Sequence, residues 1–465
     1  MMKYKFVQLQ KIIVKLMRKF KVPGLAISIL YNDKSIYEKG FGARNLEENL
    51  PMTPNSLIGI GSISKSFTAL LILKLHEQGL LALDDPVNKY LEIEPFISHI
   101  TIHIVHLLSH SSGIPSVDAQ WLPVAITYGD YQRIYPISSL DDYLFHISET
   151  KNEIFYQPGE KFFYNNDMFT LLGMIIEEVT GKPFEEVLSE KILKPLEMTR
   201  TTVNREYLKN DPLQDYITGY IHKGSEKKLE FDKPKLPFSK FLQAPGGIYT
   251  SMHEMLNYAT CLLQKGIFKG NQILKPESID LLWTPRITSP YGYGKDPKYC
   301  LGWVREEDFF NHILIHHGGG LGVSSSFFGL IPDLNVAVSV AENDDSGISS
   351  IVGICALSIM LGENPEKVNE KIKLLEIYEK IGGKYKSSLG LYDLEVTFKN
   401  FSIHIKVESD DGVFNFPLII EDFDELSFNL FSTIPSSLQK VKFHQDSKTG
   451  KVEYVTYDRY LYHKV

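Results

Sequence analysis

Gly59-Ile-Gly-Ser62-Ile-Ser-Lys65-Ser-Phe67-Thr-Ala-Leu70-Leu71-Ile-Leu73-Lys-Leu75 is the stretch on which the reading of this chain turns. Two glycines lead into a helical pattern expected from Ser62 to about Leu80, with Phe67, Leu70, Leu71, Leu73 and Leu75 on a wide apolar face. Ser62 then stands at the positive end of the helix dipole. Lys65 returns one turn later to the same face, within reach of the Ser62 hydroxyl. Burial on an apolar helix lowers a lysine pKa from ~10.4 by up to a few units, which makes a neutral amine available as a base. The plain alternative is an N-cap serine beside a surface lysine. Ser-x-x-Lys also occurs at Ser148, Ser225 and Ser437, in polar stretches or in the β-rich C-terminal part, where solvated side chains are expected. Context singles out Ser62.

Upstream, Gly24-Leu-Ala-Ile-Ser-Ile-Leu30 reads as a strand, Asn32–Asp33 as a turn and Ser35–Gly40 as the hairpin partner. The first twenty-odd residues are broken by Lys11, Lys15, Arg18 and Lys19, so no apolar run reaches signal length. Ile12, Ile13, Leu16 and Phe20 recur at helical spacing, as in an amphipathic helix docked on the domain. Downstream, helices are expected at Thr101–Ser109, Met168–Thr180, Phe184–Leu193 and Met252–Lys265. Strands follow at Ile313–Ile315 and within Phe327–Val340, then a closing helix at Ser349–Leu361. Hairpin, helices, strands and helix in that order imply an α+β architecture, with a mixed sheet edged from both ends of the domain and a helical insertion between. The polar segment 366–381 is expected to link a domain over 1–365 to a second over 382–465. Short alternating strands such as Leu394–Lys399, Ser402–Val407, Leu426–Leu430 and Lys451–Tyr457 give that second domain the pattern of a small antiparallel barrel.

A second constellation is Gly159-Glu-Lys-Phe-Phe-Tyr164-Asn-Asn166, a turn leading into a helix. A phenol there can relay protons and the Asn166 amide can bond a substrate carbonyl; capping of the helix by Asn166 or Asp167 is the structural alternative. A third is His316-His317-Gly318-Gly319-Gly320. Three glycines at a strand end allow a ligand close to the backbone. The paired histidines have no third metal ligand at a recognisable spacing, and His103, His106 and His110 read as structural; no metal or other cofactor is expected. Net charge is −8 with no basic stretch, which argues against nucleic acid. No segment reaches the length of a membrane span. Cys261, Cys300 and Cys355 are odd in number and widely spread, as for reduced buried thiols in a cytoplasmic protein.

The three constellations together resemble the serine β-lactamase and penicillin-binding-protein superfamily, whose signature begins with Ser-x-x-Lys. The class C branch has Tyr-x-Asn as its second motif, and esterase and D-aminopeptidase-like relatives often carry His-x-Gly as the third. Ser62–Lys65, Tyr164–Asn166 and His317–Gly319 match in order. Leu81-Ala-Leu-Asp-Asp-Pro, Leu107–Pro115, Ala244-Pro-Gly-Gly-Ile-Tyr and Gly320-Leu-Gly-Val-Ser-Ser-Ser match between them. Lys448-Thr449-Gly450 also occurs, but where a hairpin turn is expected. The C-terminal strands resemble the lipocalin-like domain of some members, including archaeal peptidases that assemble into closed oligomers.

The resemblance implies an antiparallel sheet flanked by helices, with a helical subdomain, and a serine hydrolase working through an acyl-enzyme. Ser62 would be the nucleophile, with Lys65 and Tyr164 sharing proton transfer and the N–H groups of Ser62 and Gly320 forming the oxyanion hole. Asn166 would hold the substrate amide beside the Gly318 and Gly319 backbone, and His317 would line the cleft and tune Tyr164. The implied substrates are small amides, short peptides (those with D-amino acids included) or esters, and the implied assembly is a homo-oligomer. A histidine where the family has a lysine weakens contact with a substrate carboxylate, which disfavours β-lactams. A covalent β-lactam-type sensor and a non-catalytic scaffold are the alternatives. Segment 118–150 carries Trp121, Tyr128, Tyr131, Tyr135 and Tyr143, an aromatic density suited to an apolar wall, with Trp121 as a substrate contact.

Overall fold

The computed structural model describes all residues except 1, 98–99, 130–136, 224–229, 366–369, 400, 410–411, 431–438 and 458. Two compact units divide between Glu363 and Asn364.

The first unit is built on a nine-stranded sheet. Its strands are β1 (Gly24–Tyr31), β2 (Lys34–Asn45), β3 (Leu50–Pro51), β4 (Ile287–Thr288), β5 (Lys298–Tyr299), β6 (Val304–Phe309), β7 (His312–Gly320), β8 (Ser325–Ile331) and β9 (Val336–Glu342). Their order across the sheet is β4-β5-β6-β7-β8-β9-β1-β2-β3. Every pairing is antiparallel, as the family resemblance implies, and the mixed sheet expected from element order alone is corrected. Two of the pairings have a local cause: β1–β2 and β6–β7 are joined by two-residue turns, Asn32–Asp33 and Phe310–Asn311, with positive φ at both positions. Such turns match the twist of a hairpin and reverse the chain directly. β1 pairs along β9 from Leu25↔Glu342 to Tyr31↔Val336, which closes the two ends of the unit on each other.

Alternation along β8 sorts the helices onto the two faces. Phe327 meets the helix Ile348–Leu361 at Gly353, where any Cβ would lie 2.0 Å from its ring. The next residue, Phe328, stacks on Tyr258 and packs at a tilt against Trp303 on the opposite face. The N-terminal helix α1 (Met2–Phe20) buries Leu9, Ile13 and Leu16 and packs on Ile348–Leu361. The helical part between β3 and β4 encloses α2 (Ser64–Glu77), which is buried on nearly all sides, as a helix without a polar face must be.

The second unit opens with the helix Glu370–Ile381, which fills most of the segment read as a linker. Eight antiparallel strands then form a closed barrel from Gly383–Ser387 to Tyr460–Lys464, with the last strand pairing back to the first at Tyr385↔Lys464. Leu394, Val396 and Phe398 point inward along one strand, with more exposed residues between. Closure leaves no open strand edge, so eight short strands make a self-sufficient layer. Lys448-Thr449-Gly450 lies in the turn between two of them, where Asp446 accepts from Thr449 Oγ1 at 2.7 Å. Among the described residues no helix is long and apolar enough to cross a membrane.

Candidate active site

Ser62 is set by a turn that only glycine permits. Strand Ile58–Gly59 pairs with Tyr249–Thr250, and Ile60 N–H donates to Ile248 O at 2.9 Å. Gly61 then has φ +51°, and a Cβ on it would stand 2.4 Å from Gly320 N. Gly61–Ile63 form one 3₁₀ turn, and α2 begins at Ser64. Ser62 therefore sits just ahead of the α-helix, partly open to solvent, while Lys65 is fully buried. Lys65 Nζ lies 2.9 Å from Ser62 Oγ and 2.8 Å from the Pro245 carbonyl. The rings of Tyr164 and Phe169 flank it, with centroids at 4.9 and 5.5 Å. Burial holds the Lys65 pKa well below its ordinary value of 10.5. A neutral amine has a lone pair that can take the Ser62 proton.

Tyr164 arrives on the loop that enters the helix Asn166–Thr180. The N-cap is Asn165, whose Oδ1 accepts from Asp167 N–H, so capping falls to neither Asn166 nor Asp167. Asn165 also donates to the Ile114 and Pro115 carbonyls, tying the loop to the Leu107–Pro115 phrase. Asn166 begins the helix half-exposed. Burial pushes the Tyr164 phenol above its usual pKa, against a hydrogen bond with Ser62 that lowers it, while Tyr291 pushes it up further. His110 packs at a tilt with its ring centroid 4.2 Å from that of Tyr164, and its Nδ1 accepts from Asn165 N–H. Burial drives the His110 pKa down, and Lys65 and His317 add to the fall.

β7 supplies the other side. Its alternation turns His317 toward the site and His316 away, where His316 Nε2 meets buried Glu306 at 3.3 Å. His317 Nδ1 lies 2.6 Å from Gly318 O, a group that only accepts, so Nδ1 carries the proton. Its Nε2 then accepts from the Tyr299 hydroxyl at 3.0 Å. Burial first, and then the neighbouring Lys65, lowers the His317 pKa to about 3, so the ring is neutral. His317 thus bonds Tyr299, while its ring centroid stands 6.3 Å from that of Tyr164. A Cβ on Gly319 would meet Ile60 O at 1.9 Å, whereas nothing lies within 4 Å of one on Gly320. The triple glycine lets β7 lie against the Ser62 turn and leaves open space over Gly320.

Trp121 packs edge-on to Tyr128 at 6.0 Å, and both lie against Gly322, two residues beyond Gly320. Tyr128 donates to Leu321 O at 2.8 Å. Buried Asp167 accepts from Ala119 and Gln120 N–H and so fixes the turn carrying Trp121. Tyr143 is corrected from pocket wall to core: it stacks 4.6 Å from Phe241 and donates to Asp167. Tyr131, Tyr135, Ser225 and Ser437 lie outside the described residues. Ser148 donates back to Leu144 O in its own helix. His103 Nδ1 lies 2.6 Å from Asp84 O, and His106 Nδ1 accepts from His103 N–H, both at a helix start. Pro245 and Tyr299 gain no role from the residue pattern and His110 only a structural one, although Pro245 and His110 lie in phrases quoted above.

Residues 9–350 match the family model described as Beta-lactamase. Protein flp of Staphylococcus aureus (strain N315) is 30% identical over 344 residues, 73% of this chain and 63% of its own length. The chain thus spans less than two thirds of that relative. The octameric penicillin-binding protein homologue from Pyrococcus abyssi is 32% identical, with a TM-score of 0.88 over 99% of this chain and 100% of that one. A D-stereospecific amidohydrolase from Streptomyces sp. shares the fold at 24% identity, with a TM-score of 0.55 over 70% of this chain and 90% of its own. The match runs from the N-terminal helix past the strand of His317 and takes in the Ser62–Lys65 pair: the chain belongs to the beta-lactamase family.

Proposed function

We propose that the protein is a serine hydrolase that cleaves small amides, short peptides and esters through an acyl-enzyme on Ser62. The observation that carries this reading is a fully buried lysine amine 2.9 Å from the hydroxyl of a serine on an open turn. The neutral Lys65 amine takes the Ser62 proton as Oγ attacks the carbonyl. Tyr164 is protonated and more open than Lys65, so its phenol supplies the proton to the leaving group. The Ser62 and Gly320 amides are the proposed oxyanion donors, with Gly320 N beside the Gly61 turn and open space above it. Asn166 and the Gly318–Gly319 backbone are the proposed substrate contacts, and His317 holds Tyr299 in place.

Burial lowers the pKa of both Lys65 and His317, the latter to about 3, so His317 offers no fixed positive charge of the kind that a carboxylate-bearing β-lactam would use. That favours uncharged acyl groups, and the fold likeness to a D-stereospecific amidohydrolase makes D-amino acid amides the first substrates to test. The octameric Pyrococcus abyssi homologue supports a homo-oligomer, which light scattering would measure directly. A fluorophosphonate probe should label Ser62, and Ser62→Ala should lose both labelling and turnover while melting as the wild type does. Labelling at Ser148, or turnover retained in Ser62→Ala, overturns the reading.

A further inference from the structure

A loop that the catalytic scheme leaves unused projects an aromatic ring beside Tyr164. Residues 289–297 connect β4 to β5 and are pinned along their length. Ser289 N–H donates to Pro297 O at 2.8 Å, and Ser289 Oγ bonds both the N–H and the carbonyl of Tyr291 at 3.0 Å. The buried Glu306 carboxylate accepts from Tyr293 N–H at 2.6 Å and from Gly294 N–H at 3.0 Å. A Cβ on Gly292 would collide with Glu306 Oε1 at 2.4 Å and one on Gly294 with Oε2 at 2.7 Å, so the loop lies directly on that carboxylate. Tyr293 turns down onto His316, and its hydroxyl bonds Ser350. Tyr291 points the other way. Its ring stands 5.7 Å from Tyr164 at 84° and 6.0 Å from Phe162, yet 54% of the residue is exposed. A large ring held in place beside a catalytic phenol, with much of its surface uncovered, is a preformed apolar contact that loses little freedom when a ligand arrives.

The proton path decides which part of the substrate meets it. When Ser62 Oγ bonds to the carbonyl carbon, its proton passes to Lys65. When the carbon–heteroatom bond breaks, the departing amine or alcohol takes the phenol proton of Tyr164, and the proton on Lys65 restores the phenol. The leaving group therefore departs across Tyr164, on the side of Tyr291. Trp121 and Tyr128 lie elsewhere, against Gly322 beyond the Gly320 amide.

We propose that Tyr291 is a specificity-determining wall for the leaving group, selecting substrates whose amine or alcohol part is aromatic or flat and apolar. This rests on the acyl-enzyme reading of Ser62 and adds a residue and a substrate class to it. The test uses the full chain and esters sharing one acyl group, with p-nitrophenol and methanol as leaving groups, and the corresponding anilide and methylamide. Aromatic pairs contribute enough that Tyr291→Ala should lower the aryl-to-methyl ratio of kcat/KM roughly three- to tenfold, while Tyr291→Phe keeps it. Hydrolysis of the acyl-enzyme, which no longer contains the leaving group, should run at the wild-type rate in both variants. An unchanged ratio in Tyr291→Ala overturns the proposal, as does an altered deacylation rate, which would mean that the loop acts through the catalytic groups. Failure of the wild-type chain to acylate Ser62 with any of these substrates would overturn the acyl-enzyme reading and the proposal with it.

Discussion

Replacing Gly319 by alanine would place a methyl group 1.9 Å from Ile60 O, 2.6 Å from Ser326 Oγ and 2.9 Å from Ile60 C. Cβ atoms essentially never come under 3.0 Å, so either the turn or β7 must give by more than about 1 Å. Neither is free to do so. Ile60 is held by Ile248 through its N–H, and its carbonyl already accepts from Ser326 Oγ at 2.8 Å. β7 is paired with β6 up to His316 and with β8 through Gly320, where Gly319 lies opposite Ser326. The overlap should cost about 1–3 kcal/mol of stability, the usual range for an overpacked core. It should cost more in rate, because Ser62 is two residues from Ile60 and a misplacement of about 1 Å lowers turnover by roughly 10²-fold. The neighbouring glycines serve as controls. A Cβ on Gly318 meets only Ser350 Oγ at 3.6 Å and Ser326 O at 3.8 Å, and one on Gly320 meets nothing within 4 Å. Gly318→Ala should therefore melt as the wild type does. Gly320→Ala should also melt normally but raise KM, since its methyl enters the open space over a proposed oxyanion donor. Thermal denaturation with turnover of a short-chain p-nitrophenyl ester distinguishes all three. A Gly319→Ala variant with wild-type Tm and kcat would refute the argument that close contact of β7 with the turn aligns the serine.

Tyr164→Phe removes only the phenol oxygen and should lower kcat by about 10²–10⁴-fold, and full activity would exclude a proton-transfer role. Because the folded pKa of Lys65 is depressed, the amine becomes a base as pH rises through that value, giving kcat/KM an acid limb. His317, with a pKa of about 3, is already neutral there, so His317→Asn should retain the limb; its loss would assign the limb to His317. Between the depressed value and 10.5 the folded chain binds fewer protons at Lys65 than the unfolded chain, so this group favours folding more as pH rises. Lys65→Met should accordingly raise Tm more at acidic than at alkaline pH, and a gain independent of pH would contradict a neutral lysine. Trp121→Ala should lower kcat/KM more for bulky substrates than for acetyl esters, and an equal loss for both would remove Trp121 as a substrate contact.

What could be read from the residues, and what could not, follows from how far apart the interacting groups lie along the chain. Ser62 and Lys65 are one turn apart, so glycines followed by an apolar helix were enough to pick them out from Ser148, which lies in a helix of its own. The barrel was legible for the same reason: alternation at Leu394, Val396 and Phe398 is a property of one strand. The sense of strand pairing was legible at the Asn32–Asp33 hairpin and through the family resemblance, but not from element order. It depends on whether a connection reverses the chain, and a two-residue turn such as Phe310–Asn311 carries no glycine to announce it. Tyr299 escaped notice because its partner His317 is 18 residues away, across β6, and one buried tyrosine among 25 looks like any other. Pro245 is the more instructive case. A lysine that must stay neutral needs an acceptor without charge, because a carboxylate at the same distance would stabilise the ammonium and raise its pKa. The Pro245 carbonyl, 180 residues along the chain, meets that requirement. Every residue has a carbonyl, so no side-chain pattern can mark the one that a buried amine will use. The base at the centre of the proposed mechanism therefore depends on a contact that only the folded chain reveals.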